Sequence, residues 1–145
     1  MKKTVIGRID KINLPELKLF EIDAKIDTGA YTSAIHCHHI SVVKMDGKNV
    51  LHFKLLDPFH PDYNDKDFYF ERFTTRNIKN TSGIPEERFT IKTVLEIFDE
   101  KIETEFSLTD REKMKYPILL GRRFLSGKFI VDVEKKDLSF KQKKK

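Results

Sequence analysis

The sequence predicts an all-β protein, a barrel or sandwich of short strands. Three observations carry that expectation. Apolar and polar residues alternate in runs of about four to eight, the period of a half-buried strand. Turn-forming residues interrupt those runs often, as at Asn13-Leu14-Pro15, Asp46-Gly47, Asn80-Thr81-Ser82-Gly83 and Asp99-Glu100. Little of the chain reads as helix, and no internal repeat is visible.

Taken in order, residues 4–12 form a loosely alternating first strand with Val5, Ile9 and Ile12 apolar. Residues 13–17 turn the chain, because Pro15 bars a central strand from continuing. Residues 19–26 are the second strand. A third begins near Ser33 and runs to Val43, and Asp46-Gly47 closes a hairpin with the strand over residues 50–56. Residues 57–67 read as a loop and residues 68–78 as an aromatic-rich strand. Residues 88–98 and 101–108 form the next pair, with Ile102, Thr104, Phe106 and Leu108 on one face. Residues 110–115 suit one helical turn. Residues 116–121 are a short apolar strand ending in Gly121, and residues 122–125 a short helix. Residues 129–133 and 138–140 are expected as closing strands.

With 145 residues, 39% hydrophobic and 35% charged, the chain is expected to be one globular domain over residues 1–140. No apolar run is long enough for a transmembrane helix, and no apolar core follows the basic start. The net charge of +5 owes most to Lys141, Lys143, Lys144 and Lys145. Residues 141–145 are therefore expected as a disordered basic tail, with no membrane or nucleic-acid partner. The one cysteine, Cys37, excludes an internal disulfide and favours a reducing compartment, hence the cytoplasm.

The chemistry centres on residues 24–30, Ala-Lys-Ile-Asp-Thr-Gly-Ala. An apolar strand delivers Asp27 into a turn made by Thr28 and Gly29. A carboxylate there is costly to bury alone and can share a proton with a neighbour. Two such groups can do acid and base work on a water. The tripeptide by itself is weak evidence and more often marks an ordinary strand-to-loop turn with a capping Asp.

Asp27-Thr28-Gly29-Ala30, followed late in the chain by Ile118-Leu119-Leu120-Gly121-Arg122, resembles the retroviral-type aspartic proteases. The chain is similar, over nearly its whole length, to the bacterial retropepsin-like family long labelled ATP-dependent zinc proteases. Leu14-Pro15-Glu16-Leu17, Thr32-Ser33-Ala34-Ile35-His36, Glu87-Arg88 and Leu108-Thr109-Asp110-Arg111 also carry that likeness. It departs from the family pattern at Arg123-Phe124, where a smaller residue is usual. The resemblance implies an acid-protease barrel with one or two short helices, Asp27 as catalytic residue and Thr28, Gly29 and Ala30 as its loop. A flap hairpin over residues 68–98 would be tipped at Thr81, Ser82 and Gly83. One Asp-Thr-Gly in so short a chain implies a homodimer with a shared site. The family's association with a ligase that adds glutamates to a ribosomal protein implies an acidic tail as substrate. Lys25, Arg76, Arg88, Arg111 and Arg122, near loop, flap and floor, are candidate substrate-binding residues.

No cofactor is expected. A phosphate-binding Gly-x-x-x-x-Gly-Lys-Ser/Thr loop is missing. Adjacent strand residues point to opposite faces, so His36, Cys37, His38 and His39 cannot converge on one zinc ion. His36 and His38 could share a face with His52 or His60. The plainer reading is a histidine cluster that picks up metal adventitiously. A peptide-binding module on the same barrel and a zinc-dependent peptidase are the alternative functions.

Overall fold

A computed structural model of the chain describes residues 2–56, 60–61, 63, 65–79, 83–110 and 115–143. Their elements in order are β1 (Thr4–Ile6), β2 (Ile9–Leu14), a 3-10 turn (Pro15–Leu17), β3 (Leu19–Ile26), β4 (Ser33–Met45), β5 (Lys48–Leu55) and β6 (Asp67–Phe70). There follow β7 (Thr74–Lys79), β8 (Pro85–Ile97), β9 (Glu100–Thr109), β10 (Ile118–Leu120), α1 (Arg122–Leu125), β11 (Phe129–Val131) and α2 (Leu138–Lys143).

The alternation read from the sequence is the alternation that fills the core. Ile22, Ala24 and Ile26 of β3 point inward, as do Ile91 and Leu95 of β8 and Phe106 and Leu108 of β9. Six strands close into a barrel in the order β10-β3-β2-β8-β9-β4 and back to β10, so the expected barrel is the fold. β5 and β6 extend outward from β4, and among the described residues β7 pairs only with β8. The hairpin between β4 and β5 turns at Asp46-Gly47 with both residues at positive φ, 53° and 78°. That is the two-residue turn that matches strand twist.

The short β10 decides where the site lies. It runs parallel to β3, with Ile118 beside Ala24 and Leu120 beside Ile26. It runs antiparallel to the start of β4, with Ile118 also beside Ile35. The turn after β10 therefore emerges beside the turn after β3. Among the described residues, the barrel seam with the fewest register pairs is between β2 and β8, which share Asn13–Glu96. The Glu16 carboxylate reinforces it by accepting the Val94 N–H at 2.7 Å and the Thr93 hydroxyl at 3.0 Å.

Several boundaries differ from the sequence reading. The first strand is two, β1 pairing with β11 and β2 with β3, and at Gly7 between them an added Cβ would run into the Lys135 carbonyl. The strand expected over residues 68–78 is β6 and β7 with a bend at Glu71-Arg72. β11 stops at Val131, and Asp132 then turns the chain by accepting the Glu134 N–H at 3.0 Å. Residues 138–140, expected as a strand, open helix α2. The buried Asp10 carboxylate accepts the N–H groups of Ser139 at 2.9 Å and Phe140 at 3.2 Å, capping that helix from the far end of the sequence. Lys141 to Lys143, expected as disordered tail, belong to the same helix, while residues 144–145 lie outside the described residues. So do residues 111–114 of the expected helical turn. The short helix over residues 122–125 is α1.

Candidate active site

Asp27 follows the last residue of β3, and its main chain continues the pairing, with its N–H donating to Leu120 O at 2.9 Å. The chain then turns tightly. The Asp27 carboxylate accepts the Gly29 N–H at 3.0 Å, and the Ala30 N–H returns to Asp27 O at 3.2 Å. Asp27 is half-buried, while Thr28 and Gly29 are exposed. A Cβ on Gly29 would stand 3.2 Å from Asp27 Oδ1, tighter than most real contacts. Glycine here lets the backbone amide reach the carboxylate.

The loop is held from below by the turn after β10. Arg122 N–H donates to Ala30 O at 2.8 Å and Arg123 N–H to Tyr31 O at 2.9 Å. The Arg122 guanidinium donates to Thr28 O at 3.0 Å and lies 5.8 Å from the centre of the Tyr31 ring, a cation–π arrangement. On the inner side Ser33 Oγ accepts the Gly121 N–H at 3.0 Å, and the Ser107 hydroxyl donates to Ser33 O at 3.3 Å. These bonds join two segments about ninety residues apart. Together they leave the Asp27 carboxylate partly open to solvent on a fixed backbone.

Within the span expected as a flap, β7 and β8 form a hairpin, running from Thr74 opposite Thr90 to Lys79 opposite Pro85. Gly83 lies in its turn at φ +80°; Thr81 and Ser82 lie outside the described residues. The hairpin is shorter than the one expected from residue 68, because β6 pairs with β5 instead.

The candidate cations scatter. Arg122 sits on the Asp27 loop. Lys25 is exposed on β3, beside Leu119. Arg88 is buried on β8, across from Arg76 on β7. Arg76 turns to Glu105 of β9, with Nε 2.8 Å from Oε1. Arg111 lies outside the described residues. The structure thus brings Arg122 to the loop and pairs Arg76 with Arg88, but joins neither pair member to Asp27.

The histidines divide in the same way. His36 is buried, and His38 places Nδ1 2.7 Å from Leu56 O with its ring 4.8 Å from that of His39. His52 pairs with Asp67 at 2.7 Å. Among the described residues, no three of His, Cys, Asp and Glu gather closely enough to hold a metal ion. Cys37 is fully buried and burial pushes its thiol well above the usual range, so it is a small core side chain with little thiolate character.

Sequence reasoning missed Glu105. Its side chain is only 6% exposed, and it holds Arg76 and the Thr90 hydroxyl on one oxygen and Arg123 on the other. Burial raises its carboxyl, but the hydrogen bonds from Arg76 and Thr90 and the charges of Arg123 and Arg76 outweigh that and hold it below the ordinary value. Glu105 alternates with the apolar face of β9 and so reads as solvent-facing; only the folding of β7 and α1 across that face buries it. An open groove of about 820 Å³ also reaches Glu105 from the side of Phe73, Thr74 and Thr90, and Asp27 is not among its lining residues.

Comparison with known proteins agrees with this layout. Residues 5–142 match the RimB-like family, described as the retropepsin-like aspartic endopeptidase RimB. A protein named probable alpha-L-glutamate ligase from Parasynechococcus marenigrum is 34% identical over 137 residues, which cover 92% of this chain and 28% of that protein. One of the same name from Shewanella pealeana is 34% identical over 134 residues, covering 90% and 28%. The chain therefore spans little more than a quarter of the curated relatives it matches. A crystal structure of a Legionella pneumophila protein of unknown function superposes with a TM-score of 0.69, covering 95% of this chain and 99% of that one at 24% identity. That likeness shows the fold.

Proposed function

Because this chain belongs to the RimB-like family of retropepsin-like aspartic endopeptidases, we propose that it is an aspartic peptidase that works as a homodimer, each subunit contributing one Asp27. The observation that carries the reading is the Asp27 loop itself: a partly open carboxylate on a backbone clamped by Gly121, Arg122 and Arg123. One such loop supplies half of a two-carboxylate site, and a two-fold axis supplies the other half.

In the dimer, two Asp27 carboxyl groups share one proton. The ionised one takes a proton from water as the water oxygen bonds to the peptide carbonyl carbon. The protonated one gives its proton to the carbonyl oxygen. The resulting diol then loses its C–N bond: the amine leaves with a proton from one Asp27 carboxyl, and a diol hydroxyl gives its proton to the other, restoring the shared proton. The water oxygen ends in the new carboxyl group. The β7–β8 hairpin, in whose turn Gly83 lies, covers the peptide.

The substrate we favour is an acidic tail, with an oligoglutamate extension on a ribosomal protein as the leading case and the cytoplasm as the setting. The relatives' name, probable alpha-L-glutamate ligase, supports it: a peptidase unit joined to a ligase would act on what the ligase makes. Arg122, which rests on the catalytic loop, is the first candidate to meet a substrate carboxylate, with Lys25, Arg88 and Arg111 as further ones; Arg76 is occupied by Glu105. The test is hydrolysis of matched peptides ending in Glu, Gln or Lys runs. Expected is faster cleavage of the Glu series, slowed by salt and by Arg122→Gln. Asp27→Asn removes it by at least about a hundredfold, and a chelator leaves it unchanged. Equal rates across the series end the acidic-tail reading. Activity that survives Asp27→Asn, or that is lost to chelator and restored by zinc, ends the aspartic one.

A further inference from the structure

Glu105 sits where two otherwise separate parts of the site meet. Arg76 belongs to β7, the outer strand of the flap hairpin, which among the described residues pairs only with β8. Arg123 belongs to α1, and its main-chain N–H holds Tyr31 O at the end of the Asp27 loop. Its neighbour Arg122 holds Ala30 O and Thr28 O. The Glu105 carboxylate takes Arg76 on Oε1 and Arg123 on Oε2, and the Thr90 hydroxyl on β8 gives Oε1 a second donor at 3.1 Å.

We propose that Glu105 is a positioning residue that couples the flap strand to the loop carrying Asp27, so that the flap's placement sets how firmly the catalytic loop is held. The chemistry favours this over an incidental surface pair. Both arginines are a little under half exposed, but the carboxylate between them is buried, so water screens the shared anion poorly. Each of its oxygens is used by a different structural element. If the flap shifts and Arg76 withdraws, the carboxylate must rely on Arg123 and Thr90 alone, and Arg123 moves or tightens in response. That motion reaches Tyr31 and Ala30 through two main-chain hydrogen bonds. The consequence for catalysis rests on the aspartic-peptidase reading; the coupling itself does not.

The experiment is amide hydrogen exchange on the whole chain, read at the N–H groups of Arg122 and Arg123 and normalised to β5 amides. Arg76→Gln should speed exchange at those two amides between about twofold and about thirtyfold, although Arg76 touches neither. Arg76→Lys should restore part of the protection, and the effect of Arg76→Gln should vanish in a Glu105→Gln background. If Glu105→Gln does not fold, the Arg76→Gln and Arg123→Gln pair is measured instead, and non-additive effects at the Ala30 amide are expected. Exchange changes confined to β7 and β8, or additive effects of the pair, overturn the coupling. With the same variants, kcat on an acidic peptide should fall while KM holds. A wild-type protein that hydrolyses nothing would overturn the peptidase reading and leave the exchange result to decide the coupling.

Discussion

A Cβ built on Gly121 would stand 2.8 Å from the carbonyl oxygen of Tyr31, and equally close to that of Ala30. The loop that carries Asp27 and the turn after β10 therefore meet as bare backbones. This close approach is what lets Arg122 and Arg123 donate to Ala30 and Tyr31 at all.

Gly121→Ala should accordingly push the two segments apart. The atoms in the way are backbone, so no flexible side chain can yield. A loss of about 1–3 kcal/mol in stability is expected, with a fall in turnover of about a hundredfold from displacement of the Asp27 loop. Urea midpoint and turnover on the same sample check both.

Activity should depend on association. A single chain holds half of the proposed site, so specific activity should fall on dilution below the dimer dissociation constant. Sedimentation at matched concentrations checks it; constant specific activity from a demonstrated monomer counts against the shared site.

Glu16→Ala should open the β2–β8 seam. It removes the acceptor of the Val94 N–H and the Thr93 hydroxyl, where one register pair otherwise joins the strands. The expected cost is about 1–3 kcal/mol, read as a lower denaturant midpoint, with exchange rising first at Val94.

Glu105 makes stability depend on pH with a defined sign. Its carboxyl is held below the ordinary value of 4.5 in the folded protein, so the folded state binds that proton less readily than the unfolded chain. The contribution is fully present above about 4.5 and is lost as pH falls through the lowered folded value. Asp10 has the opposite sign, because burial, only partly offset by its backbone donors, raises it above 3.8. Its ionised form costs stability as pH rises through that window. The stability difference between wild type and Glu105→Gln should therefore shrink on acidification, and denaturant midpoints taken between pH 2 and about 6 would reveal it.

Much of the barrel could be read from residue order. The period of two in residues 19–26, 88–98 and 101–108 assigned the inward faces, and Asp46-Gly47 assigned a hairpin. Asp27-Thr28-Gly29 and Leu120-Gly121-Arg122 marked the two turns of the candidate site. What was missed follows one pattern. Residues 138–140 alternate like a strand, yet α2 forms because Asp10 caps it from across the molecule. Glu105 occupies the polar face of its strand, yet β7 and α1 bury it.

The sequence by itself therefore determined the strand periods, the turns and the candidate carboxylate, because these depend on each residue's own preferences and those of its near neighbours. Only the tertiary structure decided that β10 inserts between β3 and β4, that Gly121 meets Tyr31, and that Glu105 takes both Arg76 of β7 and Arg123 of α1. Those contacts link segments distant along the chain, and no local pattern encodes which of several polar faces another element will cover.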